Sequence, residues 1–308
     1  MVLGGDTQQL NYSRNEDESV SQPSTSQAVV PNEPDSVLSF SRPSVREIVQ
    51  ILKSLAFREH IHVVATRDGL KVIVDDIGIQ AVAYLKESLF THFFLRDQQE
   101  VDFRINLNTL CQCLNIFGSA VSANASVKMK YNGYGNPFQV AMEDGGVLTK
   151  CHIKTNDSEE IDEVMFEVED QLSKIIIQSE GLVEAFSELD QASDSVELQL
   201  IAEPQPATFR VTLFGDFGHI FTDFPNNSDL VERFEFTGAH KHKYRLSLVK
   251  RMLKALHMSK KVSLRTDSQG ALSTQFMIEL EDGETVFVEF FMTPDSEEYG
   301  ELDQLDGE

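Results

Sequence analysis

The chain has no long apolar run. Stretches such as Val286-Phe287-Val288 and Ile175-Ile176-Ile177 are strand-sized, far below the roughly 18–20 apolar residues of a membrane-crossing helix. The N-terminus has no basic stretch followed by an apolar one, so no secretory signal and no membrane partner are expected. Cysteine is scarce: Cys111, Cys113 and Cys151 are an odd number with no CxxC pair. That argues against a disulfide framework or a zinc site and makes a reducing compartment the default. Walker, HExxH, GxSxG and dinucleotide-binding glycine patterns are absent. Gly133-Tyr134-Gly135 leads to a turn before Pro137, not into a helix, which disfavours a phosphate cradle. The residues therefore suggest no catalytic constellation, no metal and no cofactor.

Basic residues are few, 26 against 50 acids, for a net charge of −24. The imbalance is local. Residues 1–35 carry −5, residues 155–170 carry −8 and residues 294–308 carry −7, which leaves about −4 for the remainder with 25 of the 26 bases. The parts expected to fold are close to neutral, and the acidity sits in tails and a connector.

What the chain does contain is a long internal repeat. Phe103-Arg104-Ile105-Asn106-Leu107 leads into Leu110-Cys111-Gln112-Cys113-Leu114, and Tyr244-Arg245-Leu246-Ser247-Leu248 leads into Met252-Leu253-Lys254-Ala255-Leu256. Each copy then passes through two β-rich segments with an Asp-Gly turn, Asp144-Gly145 in the first and Asp282-Gly283 in the second. The offset is 141 at the Phe/Tyr and 138 at the Asp-Gly. A period of about 140 residues exceeds the roughly 20–50 of solenoid units and fits two similar domains in tandem.

Residues 1–35 are rich in Ser, Gln, Asn, Glu and Pro and are expected to be a disordered tail. Structure begins with an alternating strand near Val37–Phe40. Ser44-Val45-Arg46-Glu47 has capping-box spacing ahead of a helix with Val45, Ile48, Val49, Leu52 and Leu55 on one face. Short strands follow around an Asp68-Gly69 turn, at Ala81–Leu85 and at Phe90–Leu95. The first repeated helix comes next, then strands at Val127–Tyr131, Phe138–Met142 and Val147–Ile153. Residues 155–163 read as an acidic connector. Beyond it the pattern restarts with a strand through Ile175–Ile177, a helix over Ser179–Leu189, and strands at 196–201, 209–214, 220–224 and 234–236. The second repeated helix and three more strands follow. The expected organisation is a tail (1–35), a first domain (36–154), the connector (155–163), a second domain (164–293) and an acidic tail (294–308). Each domain holds two helices and eight or nine strands in antiparallel sheets, an α+β class.

The second repeated helix offers the clearest pointer to a partner. With Lys250 at 0°, Lys254 falls near about 40° and Arg251 near about 100°, while Val249, Met252, Leu253 and Leu256 occupy about 200–300°. Arg46 and Lys53 share a face of the first helix opposite Ile48 and Leu52. Exposed helical cations suit phosphate contacts without base readout, although isolated Lys-Arg pairs are more often plain solvated faces. The helix at 182–190 carries Glu184, Glu188 and Asp190, and the first repeated helix offers Asn106, Asn108 and Gln112 but no cation. His240-Lys241-His242 lacks carboxylate company and reads as a surface feature, not a metal site. One of Cys111 and Cys113 is expected to pack and the other to sit near the surface. Asp75, Asp76 and Asp267 could be imagined as a nuclease site, but they lie at hairpin ends where turn chemistry explains them.

Phe57-Arg58-Glu59-His60, Phe103 to Leu107, Ile116-Phe117-Gly118-Ser119, Gln178 to Leu182, Glu184 to Asp190, and Lys261 to Gly270 occur in this order. Together they resemble the PCNA-like DNA sliding-clamp family, over roughly residues 36–293. Within it they resemble the Rad-one subunit family of the heterotrimeric checkpoint clamp, often called nine-one-one. The resemblance implies a ring of six domains from three subunits, with sheets outside and helices lining a hole around double-stranded DNA. It implies two partner subunits, a clamp loader, recruited checkpoint and repair proteins, and a nuclear location. On that reading Arg46, Lys53, Lys250, Arg251 and Lys254 face DNA, and Ile161, Val164, Phe291, Met292 and Pro294 border a groove for short partner peptides. A 3′–5′ exonuclease and a protein-only adaptor are the alternatives.

Overall fold

The computed structural model describes residues 36–118, 125–157, 166, 168–187, 195–215 and 218–295. The expected disorder of 1–35 and most of the acidic tail lie outside them. The first half runs β1 (Leu38–Arg42), α1 (Arg46–Ser54), β2 (His60–Thr66), β3 (Gly69–Asp76), β4 (Ile79–Lys86), β5 (His92–Leu95), β6 (Val101–Asn106), α2 (Leu107–Leu114), β7 (Ser126–Tyr131), β8 (Phe138–Asp144), β9 (Val147–Ile153) and a short β10 (Thr155–Asn156). The second half runs β11 (Gln171–Gln178), α3 (Ser179–Ser187), β12 (Ser195–Ile201), β13 (Thr208–Gly215), β14 (Gly218–Pro225), β15 (Val231–Phe236), β16 (His240–Arg245), α4 (Leu246–Met258), β17 (Lys261–Asp267), β18 (Leu272–Glu279) and β19 (Thr285–Met292).

All strand pairs are antiparallel, in sheets ordered β5-β1-β7-β8-β9, β10-β6-β2-β3-β4-β19-β18-β17-β11-β15 and β14-β13-β12-β16. The sequence repeat recurs as topology. Adding ten to each number in β5-β1-β7-β8-β9 gives β15-β11-β17-β18-β19, and β6-β2-β3-β4 gives β16-β12-β13-β14. The halves meet where β4 pairs with β19, from Tyr84↔Phe287 to Ile79↔Met292. The counterparts of that pair, β14 and β9, each end a sheet.

Local chemistry accounts for the elements. Val45, Ile48, Val49, Leu52 and Leu55 are all buried on α1. Gly69 closes the β2–β3 hairpin at φ 131°, and a Cβ there would lie 2.2 Å from the Leu85 carbonyl oxygen, so only glycine fits. The repeated aromatic anchors each half. Phe103 packs 4.4 Å from the Tyr131 ring and 5.2 Å from Phe138. Its counterpart Tyr244 is fully buried and donates to the Gly270 carbonyl at 2.8 Å. Burial pushes that phenol's pKa upward.

Several local expectations change. Ser44–Glu47 forms no capping box: α1 starts from Val45 without a side-chain cap. The Glu47 carboxylate is taken instead by the buried Arg42 guanidinium at 3.0 Å and by the Glu281 amide at 2.5 Å. Arg42 also reaches Asp282 at 2.7 Å, tying β1 to the second Asp-Gly turn. The strand expected at Phe90–Leu95 is shorter, β5 at His92–Leu95, and a 3₁₀ turn at Glu87–Leu89 precedes it. The connector's first residues are strand, because Thr155 and Asn156 pair with Ile105 and Arg104. Cys111 and Cys113 are both half-buried, since α2 has neighbours on two sides. Cys113 meets Cys151 of β9, and burial followed by that thiol contact pushes its pKa up to about 12.

Candidate nucleic-acid interface

The four helices pack in the row α2–α1–α4–α3, with α1 and α4 in the middle, so the halves meet here as well as at β4–β19. In α4 the buried face is Leu246, Leu248, Val249, Met252, Ala255 and Leu256. That leaves Lys250 and Lys254 exposed on the side away from the core. Lys53 is likewise exposed on α1. Among the described residues none of these three lysines has an ion pair, so their charge is available to an anion.

The other two cations of the set are engaged. Arg251 is half-buried: its Nη1 lies 2.7 Å from Asp76 and its guanidinium stands 5.1 Å from the centroid of the Phe57 ring. Asp76 also takes the Ile77 amide at 2.9 Å and lies 3.5 Å from Arg58. Arg46 is exposed and loosely paired with Glu281 at 3.4 Å. Arg58, in the turn after α1, is a cation beside the stripe that wheel geometry did not reveal.

The flanks differ. On α3, Glu180 and Glu184 are exposed, while Glu188 and Asp190 lie outside the described residues. On α2, Asn108 and Gln112 are exposed, whereas Asn106 is the N-cap: its Oδ1 accepts from the Thr109 amide at 2.9 Å and its Nδ2 donates to Glu59 at 2.7 Å. The row therefore has a cationic centre, one acidic flank and one neutral flank.

Of the proposed groove residues, Ile161 and Val164 lie outside the described residues. Phe291 is half-buried on the outer sheet face, 6.3 Å from the Phe166 ring, and Pro294 is half-buried. Met292 cannot border a groove. Strand alternation turns it inward, where it is fully buried.

The acids considered for a nuclease are separately occupied. Asp75 faces His62 at 3.8 Å, and Asp76 holds two arginines. Asp267 is buried and accepts from the Gln269 and Ala271 amides at 3.0 and 2.8 Å, as a turn residue does. Among the described residues, no group of three or more His, Cys, Asp or Glu could hold a metal ion, and no helix is long and apolar enough to cross a membrane.

Residues 37–278 match the family described as "Repair protein Rad1/Rec1/Rad17". The chain is 43% identical over 260 residues to the "Cell cycle checkpoint protein RAD1" of Mus musculus, covering 83% of this chain and 92% of the mouse protein. It is 26% identical over 193 residues to the "DNA repair exonuclease REC1" of Mycosarcoma maydis, covering 53% of this chain and 42% of that protein. The fold matches proliferating cellular nuclear antigen from Entamoeba histolytica with a TM-score of 0.67 at 15% identity, over 84% of this chain and 99% of that one. It matches a chain of the PCNA2-PCNA3 complex from Sulfolobus tokodaii with the same TM-score at 17% identity, over 83% and 98%. The chain belongs to the Rad1 family of checkpoint and DNA repair proteins, and its fold is that of the sliding clamps.

Proposed function

We propose that this chain is a non-catalytic subunit of a heterotrimeric ring clamp that encircles double-stranded DNA and recruits checkpoint and repair proteins in the nucleus. A clamp loader would place the ring. Residues 36–154 and 164–293 would be its two clamp domains, joined by 155–163.

The observation that carries the reading is the pair of open edges. Within the chain the fourth strand of one half pairs with the ninth strand of the other, β4 with β19. Among the described residues the equivalent strands β14 and β9 have no partner on one side, and they carry exposed apolar side chains: Val147 (59% exposed) and Leu148 (56%) on β9, Ile220 (37%) and Phe221 (52%) on β14. Unpaired, apolar edge strands invite pairing with another chain. Repeating the internal junction between subunits joins β14 of one to a β9-type strand of the next, a head-to-tail contact that closes when the rotation suits. The helix row then faces inward, and Lys53, Lys250 and Lys254 meet phosphate, with Arg46 and Arg251 as reserve cations. Phe291 and Pro294 remain candidates for a peptide groove on the outer face.

The name of the Mycosarcoma maydis relative supports a second reading, a 3′–5′ exonuclease. It would require carboxylates converging on metal, whereas Asp76 and Asp267 are committed to arginines and turn amides. The deciding experiment is co-expression with the two other checkpoint-clamp subunits, followed by mass measurement of the untagged assembly. A 1:1:1 complex is expected, and Phe221→Asp should remove this chain from it without unfolding the chain. A stable homotrimer formed alone would overturn the heterotrimer. Metal-dependent nuclease activity lost on mutating one Asp pair would favour the second reading.

A further inference from the structure

The open edge of the five-stranded sheet carries charge as well as apolar surface. On β9 the side chains of Thr149, Cys151 and Ile153 turn toward the core, so Leu148, Lys150 and His152 line the outward face, and Lys154 follows at the next alternate position. All four are exposed. Register extends the pattern across the sheet. On β8, Ala141 stands beside Lys150 and Gln139 beside His152, and on β7, Lys128 and Lys130 flank those same two residues. Among the described residues of β1, β7, β8 and β9, Glu143 is the one acid on this face. Lys150, His152 and Lys154 have no ion pair among the described residues.

The other open edge, β14, differs. Its outward row is His219, Phe221 and Asp223, all exposed. Asp223 is the only acid of that strand, and it is taken. Arg210 on β13 reaches it through Nε at 2.6 Å and Nη2 at 2.8 Å, and the same guanidinium stands 4.3 Å from the centroid of the Phe221 ring. If β14 of a second copy paired with β9, Lys150 and Lys154 would meet His219, Arg210 and a carboxylate already held by two bonds. Like charges facing each other across a strand pair are destabilising. The internal junction shows what complementarity looks like at this position. There the outward Glu289 of β19 accepts from Tyr84 Oη of the facing strand at 3.5 Å and from Arg265 two strands away.

We infer, on the clamp reading above, that β9 receives an edge strand from a different chain, one with carboxylates at alternate outward positions opposite Lys150 and Lys154. β14 receives a neutral, apolar strand. The two edges differ in charge, so the two neighbours differ in chemistry, and a second copy of this chain is disfavoured on the β9 side. Charges of this kind at the rim of an interface act on association rate and on the choice of partner.

Binary affinities test this, with the full chain titrated against each of the two other checkpoint-clamp subunits. The variant Lys150→Glu with Lys154→Glu should bind one subunit on the order of tenfold to a hundredfold more weakly, because two attractive cross-strand pairs become repulsive. It should bind the other subunit as the native chain does, and Phe221→Asp should weaken that other complex instead. Added salt should weaken the native complex at the β9 edge and strengthen that of the lysine variant. Lys150→Arg with Lys154→Arg should bind like the native chain, and an unchanged melting temperature should report an intact fold, since both side chains are exposed. Unchanged affinity of the charge-reversed variant for both subunits would overturn the inference and leave the clamp reading standing. So would equal weakening by the arginine variant, which would make shape the cause, and so would intact assembly with weaker duplex binding, which would assign the row to phosphate. A native chain that binds neither subunit would overturn the clamp reading and the inference with it.

Discussion

Asp76→Asn separates the two things one carboxylate does for this surface. Asp76 ends β3 and gathers Arg251 at 2.7 Å, Arg58 at 3.5 Å and the Ile77 amide at 2.9 Å. Burial alone would raise its pKa, but the Arg251 hydrogen bond, the Ile77 amide and the two guanidinium charges hold it below its ordinary value of 3.8. The folded pKa is therefore lower than the unfolded one. The stability it contributes is complete above about pH 3.8 and is lost as pH falls through the folded value. Asn keeps the size and the acceptor for Ile77 but removes the charge. A hydrogen bond to a charged group contributes about 1.5–3 kcal/mol, and the exposed Arg58 pair about 0–1 kcal/mol. Arg251 can rehydrate once released, so the expected loss at pH 7 is about 1–2 kcal/mol. Thermal melts from pH 7 down to pH 3 should show that gap narrowing once the pH falls below about 3.8, where the unfolded chain takes up the proton before the folded one does. The same change frees Arg251 to join Lys250 and Lys254, so the dependence of log K for duplex DNA on log salt should steepen by about 0.9 for one added phosphate contact. A variant as stable as the native chain at pH 7, or a gap that is the same at pH 3, would refute the ion-pair reasoning. A shallower salt slope would show that Asp76 aims Arg251 at phosphate and does not withhold it.

Three further outcomes are expected. Lys250→Glu with Lys254→Glu should lower the salt slope of DNA binding by about 2, leaving the melting temperature unchanged because neither lysine has an ion pair among the described residues; an unchanged slope would remove α4 from the interface. Glu289→Ala should cost about 3–5 kcal/mol in chemical denaturation, since the buried carboxylate accepts from Arg265, from Ser273 at 2.7 Å and from Gln275 at 3.2 Å; a loss under about 1 kcal/mol would mean that water replaces it. Tyr244→Phe should cost about 1–3 kcal/mol by leaving the Gly270 carbonyl without its donor, and a neutral result in the same assay would show that the buried oxygen finds another.

What was legible in the sequence follows how far apart the interacting residues lie. The repeat at Phe103 and Tyr244, the apolar face of α1 and the Asp68-Gly69 hairpin are encoded by neighbours a few residues apart, and they appear in the structure as read. The Ser44–Glu47 box is equally local and does not form, because the Glu47 carboxylate accepts from the Glu281 amide, 234 residues away, and from Arg42, which is itself tied to Asp282, 240 residues away. The stripe on α4 has the angle that its spacing predicts, with Lys250 and Lys254 exposed opposite the buried face, but angle does not reveal occupancy. Arg251 is held by an acid 175 residues distant, while Lys250 and Lys254, on the same helix, remain available. Met292 shows the converse: a residue near the chain's acidic end looked like a groove border, yet the β19 alternation that buries Val286, Val288 and Phe290 must bury it too. The junction β4–β19 has no local signal in either strand, since each reads as an ordinary apolar strand. Only the doubled topology exposes its meaning, because a pairing made once inside the chain leaves its two counterparts, β9 and β14, unpaired at their outer edges among the described residues. Those apolar edges, rather than the cations, are the feature that a subunit built to stand alone would not keep.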